Sequence, residues 1–319
     1  MYCIARQNYC QYTQLFFYSW NKMMRHREKQ ILSRLLQSAF YYTKNQKPKE
    51  NTTMKNTKTT LIAVANQKGG VAKTTTVINI GAGLALKGKK VLLVDTDNQS
   101  HLSRFLGYDG QDGKPTIEEL IWQTVSKLRQ PVADAVRHSE QGIDYIPSNF
   151  MLAGILSILG TDSDSTGVFT RLFSDGAFKE YDYIIIDCPP TLDLLVSNAL
   201  KACDKVLIPV QSDYWAYEGV DQLLATLQRT KQTDDIKPYV LGMLVTMFNK
   251  RTNSAKAIMD AMTDSYGEFV FDTAIAFRDE VKVATIERKA LVSRKSSVTG
   301  QQYMEVVEEI ISKEGQDNG

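Results

Sequence analysis

Cysteine is scarce in this chain: four residues in 319, namely Cys3, Cys10, Cys188 and Cys203, with no close C-x-x-C pair among them. That scarcity excludes a zinc knuckle and a disulfide framework and points to a reducing cytoplasm. No apolar run is long enough to span a bilayer, and the ordered basic, apolar and small-residue regions of a secretory signal are missing. No segment repeats, which removes solenoids and propellers. What is left, with 43% hydrophobic residues, is a chain able to bury one large core.

Net charge is also small, at +2 overall, but the balance hides an asymmetry. Residues 1–53 hold nine Lys or Arg against two Asp or Glu, whereas the remainder holds 29 basic and 34 acidic residues. This extension is rich in aromatics, as in Leu15-Phe-Phe-Tyr-Ser-Trp20 and Phe40-Tyr-Tyr42, and turns polar from Thr43 to Thr60. Three readings of it compete. It is an arm that binds nucleic acid or a partner through Arg25, Arg27, Lys29 and Arg34; or a disordered, weakly helical tail; or a start-site artefact, with Met54 as the true start of a compact domain over residues 54–319. The last is favoured, because Met54-Lys-Asn-Thr-Lys58 makes a short polar leader into the first strand.

Against these absences stands one dense segment. Leu61-Ile-Ala-Val-Ala-Asn-Gln-Lys-Gly-Gly-Val-Ala-Lys-Thr-Thr-Thr76 reads as a short buried strand, a phosphate loop and the start of a helix. Gly69 and Gly70 let the backbone turn tightly and aim N–H groups at an anion on a helix N-terminus. Lys73 then reaches the β and γ phosphates of a nucleoside triphosphate, and the Thr74 hydroxyl ligates Mg²⁺. Two apolar runs end in a carboxylate, Val91-Leu-Leu-Val-Asp95, followed by Asp97, and Tyr183-Ile-Ile-Ile-Asp187. Such runs suit buried parallel strands, whose C-terminal edges hold ligands in open α/β sheets.

Lys68-Gly-Gly-Val-Ala-Lys-Thr-Thr75 resembles the deviant Walker A box of the ParA and MinD superfamily of ATPases, and most closely the ParA-type partition ATPases. The resemblance extends over roughly residues 60 to 312. It implies an α/β fold of the P-loop NTPase type, a mostly parallel, doubly wound sheet with helices on both faces. It implies ATP and Mg²⁺ as ligands, with the nucleotide cradled by Lys68, Gly69, Gly70, Val71, Ala72, Lys73, Thr74 and Thr75, and with Asn249 as a candidate for base contact. By the same resemblance Lys68 crosses to the ATP of a facing subunit in a sandwich homodimer. Asp97 matches the switch I aspartate that orients the attacking water, and Asp187 matches the Walker B aspartate at the metal. The implied catalytic set is therefore Lys68, Lys73 and Asp97, and the metal set Thr74, Asp97 and Asp187. Asp95 is left between the metal's outer shell and a solvated strand end.

Three positions depart from the family pattern: Ala72 where glycine is usual, Asn98 where proline often follows the switch aspartate, and Asp193 where switch II often has glycine. Cys188 and Cys203 lack the arrangement of the superfamily's iron–sulfur members and are expected to be buried and inert.

Three function classes follow from the resemblance. The first is a cytoplasmic DNA-segregation ATPase, nucleoid-associated when ATP-bound. Its ATP dimer binds DNA without sequence preference, and a ParB-like centromere-binding or other activating protein triggers hydrolysis and release. The second is an ATP-driven positioning switch acting on a protein cargo or a membrane. A membrane partner is not expected, because Met304 to Glu314 carries four glutamates and one lysine and would be repelled by anionic lipid. The third is a metabolic or protein-modifying enzyme; no C-terminal tyrosine cluster supports a kinase and no substrate signature supports a ligase. A patch of Lys282, Arg288, Lys289, Arg294 and Lys295 is a candidate DNA face and equally a solvated charged surface. Helices are expected over Thr74–Lys87, Thr116–Arg137 with a break at Pro131, Gly219–Lys231 and Gln301–Lys313.

Overall fold

The computed structural model describes residues 59–110, 112–128, 131–212 and 216–317. The basic extension and Met54 lie outside the described residues.

The apolar runs become strands, and alternation of their side chains builds two separate cores. Strand β1 (Thr60–Val64) leads through the phosphate loop into α1 (Lys73–Leu86), then β2 (Val91–Asp95), α2 (His101–Phe105) and α3 (Ile117–Val125). A hairpin of β3 (Arg137–His138) and β4 (Asp144–Ile146) precedes α4 (Ile155–Leu159), α5 (Val168–Phe173) and β5 (Tyr183–Asp187). The chain continues through α6 (Leu194–Ala202), β6 (Lys205–Gln211), α7 (Ala216–Lys231), β7 (Val240–Thr246), α8 (Asn253–Tyr266), α9 (Glu280–Glu287) and α10 (Val298–Asp317). The seven strands form one sheet in the order β3-β4-β2-β5-β1-β6-β7, parallel throughout except for the β3–β4 pair.

Leu61, Ala63, Leu92, Val94, Ile184 and Ile186 pack into one core with residues of α3, α5, α6 and α7, while Ile62, Val64, Leu93 and Ile185 pack into the other with α1, α2 and α10. Both faces are thus covered, as a parallel sheet requires. Helix α1 is squeezed from two sides. A Cβ on Gly81 would lie 2.7 Å from Leu93, and one on Gly83 would lie 2.8 Å from Val307 of α10, so a larger residue at either position would have to displace a core methyl group.

The helical segments expected from Thr116 to Arg137 form on either side of Pro131, as α3 and a short 3-10 turn over Val132–Ala135, but α3 stops at Val125 and the chain enters the edge strand β3 at Arg137. Lys127 takes a left-handed conformation, φ 55°, and Leu128 N donates back to the Gln123 carbonyl at 2.9 Å, a helix-ending turn that glycine usually signals and lysine does not.

Candidate nucleotide site

Strand register gathers the site. Val64 pairs with Asp187, and Asp187 pairs with Asp95, so β1, β5 and β2 end side by side. The phosphate loop leaves the first of these ends, and carboxylates close the other two.

The loop is held at several points by groups distant in sequence. Asn66, 3% exposed, donates to the Pro209 carbonyl at 2.8 Å and accepts from Lys68 N at 2.9 Å. Thr246, at the end of β7, donates its hydroxyl to the Val71 carbonyl at 3.1 Å. Gly69 and Gly70 are exposed, and Gly70 turns at φ 77°. Ala72 sits at φ 66°, ψ 29° as the residue before α1, so the backbone keeps the left-handed geometry of a glycine while bearing a Cβ. This is how the chain accommodates alanine there, without a shift out of the loop conformation. Thr74 and Thr75 are half-buried in the first turn of α1.

Lys73 is buried and donates to the Lys68 carbonyl at 2.9 Å. Burial pulls its pKa below the ordinary lysine value, with Asp187, Cys188 and Asp97 pulling the other way. Asp187 shows the opposite frustration. It is 1% exposed, and neither carboxylate oxygen has a hydrogen bond of good geometry within the protein. Its pKa is driven well up by burial and then by Asp95, while the Thr74 hydroxyl and Lys73 favour the charged form. A buried, unsatisfied carboxylate beside a hydroxyl and an ammonium is a place for a cation and an anion together. Thr74 and Asp187 fit Mg²⁺, which when bound offsets the phosphate charge. Among the described residues no three His, Cys, Asp or Glu side chains group as a metal cage, and this donor set matches an ion whose other ligands are phosphates and water.

Asp97 is positioned by a closed ring of bonds that the sequence did not reveal. Asp95, fully buried, accepts from Asp97 N at 3.0 Å, from Ser103 N at 2.8 Å and from the Ser103 hydroxyl at 2.6 Å. Ser148 N donates to the Ser103 hydroxyl at 2.9 Å, and the Ser148 hydroxyl donates to the Asp97 carbonyl. Asp95 is therefore not a solvated strand end; it anchors the loop that carries Asp97. Burial raises its pKa to about 6, against the Ser103 bonds. The Asp97 carboxylate, half-exposed, accepts from Gln99 N at 2.9 Å.

Two departures acquire a structural reason. Asp193 caps α6, accepting from Leu195 N at 2.9 Å and Val196 N at 3.3 Å through a side-chain oxygen that glycine does not have. Asn98 is exposed, and nothing in the structure explains it. Asn249 lies in the turn after β7, on the same sheet edge, with its side-chain oxygen accepting from Arg251 N at 3.2 Å. Cys188 and Cys203 are buried free thiols; burial holds the first well above the usual thiol pKa and the second at about 11. An open groove of about 1280 Å³ lies at the opposite sheet edge, where β1, β5, β6 and β7 begin at Thr60, Tyr183, Lys205 and Val240, away from these groups. Among the described residues no helix is long and apolar enough to cross a membrane.

Comparison with known proteins agrees with this geometry. A family described as AAA domain matches residues 59–239. The chain is 34% identical over 257 residues to the chromosome partitioning protein ParA of Caulobacter vibrioides, covering 80% of this chain and 94% of that protein. It is 34% identical over 252 residues to the sporulation initiation inhibitor protein Soj of Bacillus subtilis, covering 78% and 97%. Among solved structures, cobyrinic acid a,c-diamide synthase from Mycobacterium smegmatis with bound ATP analog and magnesium superposes with a TM-score of 0.67 at 31% identity, covering 81% of this chain and 96% of that one.

Proposed function

The chain belongs to the ParA-type partition ATPases of the ParA and MinD superfamily, and on that premise we propose that it is a DNA-segregation ATPase cycling between an ATP-bound, DNA-binding homodimer and a released ADP form. The observation that carries the reading is the unsatisfied Asp187 carboxylate, buried beside Thr74 and Lys73 at the mouth of the phosphate loop. MgATP supplies what that site lacks. Lys73 and the loop N–H groups take the phosphates, and Thr74 and Asp187 take the metal. Lys68 reaches a facing protomer's ATP, and Asn249 faces the base. Asp97, on its hydrogen-bonded loop, aligns water for attack on the γ phosphate, a positioning role that dominates phosphoryl-transfer catalysis. A ParB-like or other activating protein stimulates hydrolysis. Residues 54–319 form the single ATPase domain in this reading, on the nucleoid when ATP-bound.

DNA is favoured over a protein cargo by the exposed cations. Arg288, Lys289 and Lys295 are exposed, whereas Lys282 is paired with Asp279 at 3.0 Å and Arg294 with Glu287 at 2.7 Å. Contacts from such cations to phosphates are sequence-independent and weaken steeply with salt.

The test is Asp97→Ala, compared with wild type for dimer lifetime and DNA retention with ATP and ADP at low and moderate salt. The variant is expected to bind ATP, dimerise and stay on unrelated DNA sequences, with retention falling as salt rises. A variant that dimerises with ATP but is retained no better than the ADP form overturns the DNA assignment and transfers the switch to a protein cargo.

A further inference from the structure

Two buried polar side chains in the first two turns of α1 join that helix to α10 and to the segment between α9 and α10. Asn79, 2% exposed, donates from Nδ2 to the Thr75 carbonyl at 2.8 Å. Its Oδ1 accepts from Leu291 N at 2.8 Å and Val292 N at 3.3 Å. One turn earlier the Thr76 hydroxyl meets the Tyr303 hydroxyl of α10 at 3.2 Å, both residues being fully buried.

These bonds end in a particular place. Leu291 and Val292 lie in a one-turn 3-10 helix, Leu291–Ser293, flanked by Arg288 and Lys289 on one side and by Arg294 and Lys295 on the other. The backbone of this segment is clamped. Ala290 N donates to the Gln141 side chain at 2.8 Å, and a Cβ on Gly300 would lie 2.3 Å from the Leu291 carbonyl. Of its charged side chains, Arg288, Lys289 and Lys295 are exposed and Arg294 is paired with Glu287.

We propose that Asn79 is a positioning residue that transmits occupancy of the phosphate loop to the basic segment 288–295, and so sets how its cations are presented to a polyanion. The identity of that polyanion as DNA rests on the function proposed above; the coupling does not. A ligand drawing in Thr74 moves the first turn of α1, and with it the Thr75 carbonyl. A tightly packed amide bonded at both ends must follow or break, because packed cores shift between discrete arrangements instead of deforming smoothly. A plug that merely filled the core would need only an acceptor for Leu291 N–H. The second bond, to the carbonyl next to the proposed metal ligand, makes the side chain a link.

The experiment is hydrogen exchange on the full chain, followed in peptides covering 288–297, without nucleotide, with MgADP and with a non-hydrolysable MgATP analogue. Exchange in the wild type is expected to differ about tenfold between the nucleotide-free and ATP-analogue states, a usual size for coupling between sites. Asn79→Ala is expected to bind the analogue within about threefold of wild type while this ratio collapses toward one. A purely structural Asn79 would raise exchange equally in every state, leaving the ratio intact, and that result overturns the proposal. Asn79→Asp keeps an acceptor for Leu291 N–H and loses the donor to Thr75, so it tests the link if the alanine variant does not fold; a ratio that survives in it is equally fatal. Exchange in the wild type that ignores nucleotide also overturns the coupling. DNA retention is read in parallel. The ATP-over-ADP gain is expected to fall about tenfold in the variants. A wild type that binds no DNA but keeps the exchange ratio removes the DNA assignment alone.

Discussion

Two buried ionisable side chains in this fold are treated in opposite ways. At the flank of the sheet Arg137, 7% exposed, uses all five of its donors: Nε and Nη2 each reach the Asp112 carboxylate at 2.8 Å, and the carbonyls of Pro115, Ala135 and Lys114 take the rest. Its guanidinium also lies 5.4 Å over the Tyr108 ring. At the phosphate loop Asp187 is more deeply buried and has no good bond at all. The first side chain is complete and holds a loop in place; the second is complete only when a ligand arrives. A fold that can saturate one charge so thoroughly leaves another bare where a ligand belongs.

The sharpest way to break this comparison is to damage each side chain and ask what is lost. Arg137→Leu is expected to cost about 3 kcal/mol in chemical denaturation, since it leaves three carbonyls without their donor while Asp112 stays in contact with water, and MgATP affinity of the folded protein stays unchanged. An equal loss of affinity would show that the flank belongs to the nucleotide site. Lys73→Ala should do the reverse, weakening MgATP at least about a hundredfold, or about 3 kcal/mol, in a titration with a fluorescent nucleotide, with little loss of stability. Unchanged affinity would remove the phosphate-loop assignment.

A smaller effect comes from Asp187→Asn, which is expected to stabilise the nucleotide-free protein by about 2 kcal/mol and to abolish the contribution of Mg²⁺ to ATP affinity. The pH dependence has a definite sign. A carboxyl whose folded pKa is raised lends stability below its unfolded value, 3.8 here, and loses it as pH climbs through the folded value. Asp187 acts this way, so the variant's advantage over wild type should widen as pH rises from 3.8 upward, Asp95 being common to both proteins. A melting-temperature difference that narrows over that range would contradict the unsatisfied-carboxylate account. The smallest change is Ala72→Gly, expected to gain about 1 kcal/mol by removing a Cβ from a left-handed backbone. A loss of stability on that substitution would mean that the alanine methyl is packed to advantage.

What could be read from the sequence was local. Val91–Asp95 and Tyr183–Asp187 announced themselves as apolar runs closed by an acid, and both strands have those bounds. The phosphate loop declared itself by glycine, lysine and threonine at fixed spacing. What escaped was contact across the chain: Thr246 on the Val71 carbonyl, Ser103 and Ser148 around Asp95, and Asn79 on Leu291, none of which leaves a mark in its own neighbourhood. The edge strand β3 escaped because two residues carry no periodicity, and the helix before it stops on a lysine in a conformation that favours glycine.

Strand β1 is made early and satisfied late. It lies inside the sheet between β5 and β6, and the backbone N–H of Leu61 waits for the Asp204 carboxylate, 143 residues downstream. At ordinary ribosomal speeds that is a delay of roughly 7 to 30 seconds, and for most of it, until β5 is made, Leu61-Ile-Ala-Val64 has no neighbouring strand to shelter it. The segment that gives the chain its nucleotide site is thus also its most exposed liability at birth, and a nascent chain halted before β5 emerges carries an uncovered strand that chaperones must hold.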